Sequence, residues 1–161
     1  MRRAAHAYAV NDPMSERAPS VRSASIVVQR RVEWSDTDAS GAWHNSAAFR
    51  FLEVAETALL DRLGLLQDVY GRLPRVHIEA DFLAALWHRD LVDIELRVAE
   101  VGKSSITYEI QIARRGQPCV RARSVAVLLD RVGGQPVEWP SEYRRLMETA
   151  GPQPEERLSE G

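Results

Sequence analysis

Ala48-Phe49-Arg50-Phe51-Leu52-Glu53-Val54-Ala55-Glu56-Thr57-Ala58-Leu59-Leu60-Asp61-Arg62-Leu63-Gly64 reads as one helix lying on a surface. Ala48, Phe51, Leu52, Ala55, Leu59 and Leu63 fall on a single stripe at helical spacing, while Arg50, Glu53, Thr57 and Asp61 gather opposite. Gly64 suits the left-handed residue that closes a helix. What this stripe packs against decides the fold.

On either side the period changes from helical to alternating. Upstream, Ile26, Val28, Val32 and Trp34 share one parity and Gln29, Arg31 and Glu33 the other, which predicts a half-buried strand from Ile26 to Trp34. Downstream of Pro74, Val76, Ile78, Ala80 and Phe82 share a face, followed by Val92, Ile94, Leu96 and Val98 with Asp93, Glu95 and Arg97 between them. Ile106, Tyr108, Ile110 and Ile112 alternate with Ser105, Thr107, Glu109 and Gln111, and a last long run spans Val120 to Leu129. Gly102-Lys103 and Gly116-Gln117 sit where tight hairpins should turn. Pro140 to Ala150 suits a short closing helix. Strand, helix, then four strands on short loops predicts an α+β fold, a five-stranded antiparallel sheet with one face buried on the long helix. A single helix covers such a sheet incompletely, so a second subunit is the expected cover.

The 161 residues fit one domain, and their balance of 21 basic and 23 acidic side chains offers no field to hold a nucleic acid. Cys119 stands alone, which excludes an internal disulfide and suits a reducing, cytoplasmic setting. Residues 1–23, with Pro13, Pro19 and several serines, read as a mobile tail, residues 24–150 as the domain, and 151–161 as a second frayed end. The start is too short for a signal peptide, and no apolar run approaches a membrane span.

Polar groups concentrate between the first strand and the helix, in Glu33-Trp34-Ser35-Asp36-Thr37-Asp38-Ala39-Ser40-Gly41-Ala42-Trp43-His44-Asn45. Two carboxylates, a glycine, a His and an Asn arrive just before a helix N-terminus, where unpaired N–H groups and the dipole favour negative charge. Such a place can hold an oxyanion. The same residues also suit an Asx turn, with Asn45 or Ser46 capping the helix.

Asp36-Thr37-Asp38, Gly41, His44-Asn45, Arg50 and Glu53 together resemble the 4-hydroxybenzoyl-CoA thioesterase group of hotdog enzymes. The likeness extends through Phe82-Leu83-Ala84 to Asp90, Gly102-Lys103-Ser104 and the Asp130 to Pro140 segment, covering roughly residues 25–148. It implies a hotdog fold, hydrolysis of an acyl or aroyl coenzyme A thioester, no cofactor or metal, and a homodimer or homotetramer whose sites lie at subunit boundaries. It places the catalytic carboxylate on Asp38, acting as nucleophile or as general base on water. Main-chain amides near Asn45 and Ser46 would polarise the thioester carbonyl, with Gly41 freeing the backbone and Lys103-Ser104 in the substrate-binding set. His44 is a second candidate, to orient water or substrate, although the group more often carries an aromatic there and His or Tyr where this chain has Asn45. Glu53 is the alternative carboxylate, because a related branch uses a helix Glu.

Other constellations are less specific. His77, Glu79 and Asp81 share a strand face near His88 and could ligate a metal, but any strand with a wet face looks the same. Lys103, Arg114, Arg115, Arg121 and Arg123 could meet the phosphates of coenzyme A. Two rival functions use the same fold: a hydroxyacyl thioester lyase, needing an acid–base pair such as His44 with Asp38, and a silent acyl-CoA binding subunit.

Overall fold

A computed structural model describes residues 22–154. The predicted N-terminal tail therefore lies outside the described residues up to 21, as does the C-terminal one from 155 on. The elements follow in the order β1 (Ser25–Arg31), α1 (Ala47–Arg62), α2 (Leu66–Val69), β2 (Arg75–Phe82), β3 (Leu91–Val101), β4 (Ser105–Arg114), β5 (Gln117–Val127) and α3 (Ser141–Thr149). The strands form one sheet in the order β1-β3-β4-β5-β2, every neighbouring pair antiparallel. β1 and β2 are its edges.

β3, β4 and β5 form a meander of local hairpins, and the β4–β5 turn places Arg115 at φ 51° and Gly116 at φ 77°. Two successive positive φ values make the turn that matches the right-handed twist of the strands. α1 rests over β1 and β3. Its Phe51, Leu52, Ala55 and Leu59 join Ile94, Leu96, Val98, Ile106, Ile110 and Ile112 in one core. The helix ends in a Schellman pairing, Leu65 N–H to Leu60 O at 2.9 Å and Gly64 N–H to Asp61 O at 2.9 Å, with Gly64 at φ 70°.

Two expected strand readings are corrected. β1 stops at Arg31, and Trp34 opens a 3-10 turn (Trp34–Asp36) with 70% of its surface exposed. The cause is Asp36, whose carboxylate takes the Glu33 N–H at 2.9 Å and folds the chain back before pairing can continue. In β2 the register slips between Arg75 and His77, so the expected face of Val76, Ile78, Ala80 and Phe82 is broken. Val76 turns outward at 60% exposure and Arg75 turns inward in its place.

The end expected to fray from residue 151 is tied down through Pro152. Gly151 N–H donates to Arg22 O at 2.8 Å, and the Arg62 guanidinium donates to the carbonyls of Ser25, Ala150, Gly151 and Pro152 at 2.6–3.1 Å. α1, β1 and the end of α3 are thus joined by one side chain. No helix among the described residues is long and apolar enough to cross a membrane. Arg62→Lys, which keeps the charge but loses the fork, should lower stability by about 1–3 kcal/mol in urea titration. An unchanged midpoint would remove the clamp from the account.

Candidate active site

The loop between β1 and α1 is organised by Asp36, which is buried to 4% exposure. Besides the Glu33 amide, its carboxylate accepts Arg50 Nη2 at 2.7 Å, and its carbonyl accepts His44 N–H at 2.7 Å. The first Asp of the pair is therefore the structural one, and Arg50 is its partner. Thr37 and Trp43 then pair as an antiparallel bridge, with Asp38 N–H to Ala42 O at 2.8 Å closing a small hairpin. Gly41 at its tip has φ 79° and nothing within reach of an added Cβ, so the backbone angle alone asks for glycine there.

Asp38 stands on this hairpin with its carboxylate exposed. Oδ1 accepts Ser40 N–H at 2.8 Å and Ser40 Oγ–H at 2.6 Å, the Asx turn that the sequence also allowed. The Ser40 hydroxyl and the Ser40 amide hold the Asp38 carboxyl below its ordinary value, against a smaller opposing effect of burial. It is an ionised, pre-oriented carboxylate.

The helix entry departs from expectation. Ser46 N–H donates to His44 Nδ1 at 3.1 Å, and Ser46 Oγ lies 2.7 Å from the same nitrogen. His44 thus serves as a cap, and accepting that amide assigns the proton of its neutral ring to Nε2. The Ser46 amide, expected to face a thioester, is already engaged. Among the described residues no acceptor is paired with the Asn45 amide, which leaves it as the donor of that pair.

Asn45 and Ser46 form the rim of an apolar cavity of about 300 Å3 between the start of α1 and the concave face of β2, β4 and β5. Phe49 and Leu52 line it from the helix, Ile78 and Phe82 from β2, and Ile110, Ile112 and Ala122 from the sheet floor. Asp38 is not among the lining residues. Neither is Glu53, which is exposed, sits 3.8 Å from Arg75 and faces a second cavity. Lys103 and Ser104 are further still: they turn the β3–β4 hairpin, while Asp38 follows the end of β1 that pairs with Leu91. The length of β3 separates them, roughly 30 Å at strand rise.

Of the other cations, Arg114 is paired with Asp90 at 2.6 Å, and Arg123 stands in register between Glu109 and Glu79 on the outer face. Among the described residues no group of three His, Cys, Asp or Glu could hold a metal ion; His77 and Glu79 approach only each other, at 3.7 Å.

Residues 32–147 match the thioesterase-like superfamily. The chain belongs to that superfamily. This thioesterase is 32% identical over 114 residues to a 1,4-dihydroxy-2-naphthoyl-CoA hydrolase of Prochlorococcus marinus, a match covering 61% of the chain and 74% of the relative. It is 25% identical over 108 residues to a hydrolase of the same name from Synechococcus elongatus, covering 63% and 79%. Among solved structures, a 4-hydroxybenzoyl-CoA thioesterase, determined as an Asp-to-Asn variant with 4-hydroxybenzoyl-CoA bound, superposes with TM-score 0.71 at 24% identity over 78% of this chain and 99% of that one. A 1,4-dihydroxy-2-naphthoyl-CoA thioesterase from Synechocystis gives 0.69 at 21% identity over 76% and 95%. The fold is the hotdog, and the family activity is thioester hydrolysis.

Sequence reading missed one polar cluster in this thioesterase. Glu56, at 9% exposure, is bonded to Arg75, whose Nε reaches Ser124 Oγ at 2.8 Å, and Tyr108 is fully buried beside them. Glu56 sits next to Ala55 on the buried stripe of α1, and a charged residue so close to an apolar stripe was the available signal. Burial pushes the Glu56 carboxyl above its usual value, with Arg75 opposing. A carboxyl raised on folding contributes stability that is full below its unfolded pKa and declines as pH rises through the folded one. Glu56→Gln should therefore flatten the stability profile between those two values in chemical denaturation, and an identical slope in both proteins would show that Glu56 is not its source.

Proposed function

We propose that the thioester is cleaved by Asp38, with the acyl group in the apolar cavity and its carbonyl oxygen on the Asn45 amide. The supporting observation is that the cavity is lined by Asn45 and Ser46 at the start of α1, where the helix dipole favours a developing oxyanion, and the loop leading there carries a carboxylate held ionised by Ser40. Asp38 either adds to the acyl carbon, expelling coenzyme A thiolate and leaving an anhydride for water to open, or takes a proton from the attacking water. A thiolate leaves readily, so electrostatic stabilisation at the oxygen is enough.

Because Asp38 is exposed in the single chain, the complete site is assigned to a homodimer, joined through the open edge of β2 beside the cavity. A second copy then closes over Asp38 and brings its own Lys103-Ser104 turn toward coenzyme A. The aroyl thioesters named for the relatives suit a cavity with Phe49 and Phe82 in its walls. The lyase reading would have to work through His44 Nε2 alone, since Nδ1 accepts the Ser46 amide.

Asp38→Asn should lower thiol release by about a thousandfold or more, the scale of losing an essential catalytic group, with an unchanged circular dichroism spectrum. Full activity in that variant would move the role elsewhere. Since the Asp38 carboxyl is held low, the acidic limb of kcat/KM should fall below the range of an ordinary aspartate, and Ser40→Ala should move it upward. A limb near neutrality, indifferent to Ser40, would point to another group.

A further inference from the structure

The acyl cavity does not run the length of the groove beneath α1. Leu52 lines it, but its neighbour Glu53 and, one turn further on, Glu56 line a second cavity of about 540 Å3 that continues to Leu60, Leu66 and Leu73. Along the chain the same division falls between Ile78 on β2, in the first cavity, and Pro74 just before β2, in the second. Arg75 lies between those two residues in sequence and lines neither cavity; its guanidinium spans from Ser124 on the floor to Glu56 and Glu53 on the helix. The floor repeats the pattern: Ile112 with Val120 and Ile110 with Ala122 are successive cross-strand pairs lining the first cavity, and the next pair is Tyr108 with Ser124. Three independent elements therefore change from apolar to polar at one level.

We propose that Arg75 and Glu56, seated on Tyr108 and Ser124, are the end stop of the acyl pocket and so determine which acyl lengths this thioesterase accepts. This rests on the reading that the apolar cavity receives the acyl group. Ten residues of helix separate Ser46 from Glu56, roughly 15 Å at helical rise, and side chains at both ends shorten the usable depth. Two-ring aroyl groups and medium chains fit that depth; a palmitoyl chain meets the ion pair. Passing it would mean pushing methylenes through space that these two side chains fill, held there by their bonds to each other and to Ser124. Beyond the barrier lies apolar space that a longer chain could fill.

The test compares Glu56→Ala/Arg75→Ala, which removes both charges and the barrier together, with Glu56→Gln/Arg75→Met, which removes the charges but keeps the bulk. Each is assayed on butyryl-, octanoyl- and palmitoyl-CoA, and for binding of the matching non-hydrolysable S-alkyl-CoA thioethers. The wild type should favour octanoyl over palmitoyl. The double alanine should raise the palmitoyl to butyryl ratio of kcat/KM, and of thioether affinity, at least tenfold; the bulky pair should shift it far less. A wild type that handles palmitoyl as well as octanoyl, or a folded double alanine with an unaltered ratio, overturns the proposal. Should the double alanine not fold, the wild-type length limit and the bulky pair decide: no limit, or a limit abolished by Gln and Met, rejects it. Thioether binding with no turnover on any thioester would sink the hydrolytic reading while leaving the length limit to be scored.

Discussion

A single buried carboxylate, Asp36, holds the loop between β1 and α1 in register with the helix. Its two oxygens face different elements, one toward the Glu33 amide at the end of β1 and the other toward Arg50 in α1, while its carbonyl anchors the His44 amide. An ionised oxygen can serve such divergent donors at short range, whereas a neutral side chain would leave at least one unsatisfied. Asp38, two residues on, inherits its position from this junction, as does the His44 cap that starts α1. The two acidic residues look equivalent in sequence and are opposite in kind: one is dry and immobilised, the other wet and held only by Ser40 and the turn.

The second organising fact is the placement of α1 over β1 and β3 rather than over the sheet centre. That choice leaves β2, β4 and β5 less closely packed by the helix, and the apolar cavity lies between them and Ala48, Phe49 and Leu52 of α1. On the function proposed above, the acyl group would use the part of the sheet that packing leaves open.

Periodicity revealed the architecture because it is imposed by burial, residue by residue. The helix stripe, the alternation of β3 and β4, and the Gly64 and Gly116 turns were legible for that reason. It failed where a side chain overrode the alternation: Asp36 bending the chain before Trp34, and the slip that sends Val76 out and Arg75 in. The Glu56–Arg75 pair was invisible for a related reason, since the partners are 19 positions apart and no local pattern couples them. Asp38, Asn45 and Gly41 were identifiable as a loop constellation from residue type and the family resemblance, and the Asx turn of Asp38 onto Ser40 was an open alternative there, but the capping of the helix by His44 was not. That Ser46 yields its amide to His44 depends on a ring orientation, which spacing does not encode.

One wall of the apolar cavity, β2, has a hydrogen-bonded neighbour on one flank only in the single chain, whereas the floor strand β4 is laced on both. Mechanical compliance is therefore uneven around the cavity: the β2 wall can move outward with less disruption of paired backbone, while the floor cannot yield without breaking two ladders. In the homodimer proposed above, pairing along the β2 edge would lace that wall on both flanks, so association would stiffen the cavity as well as cover it.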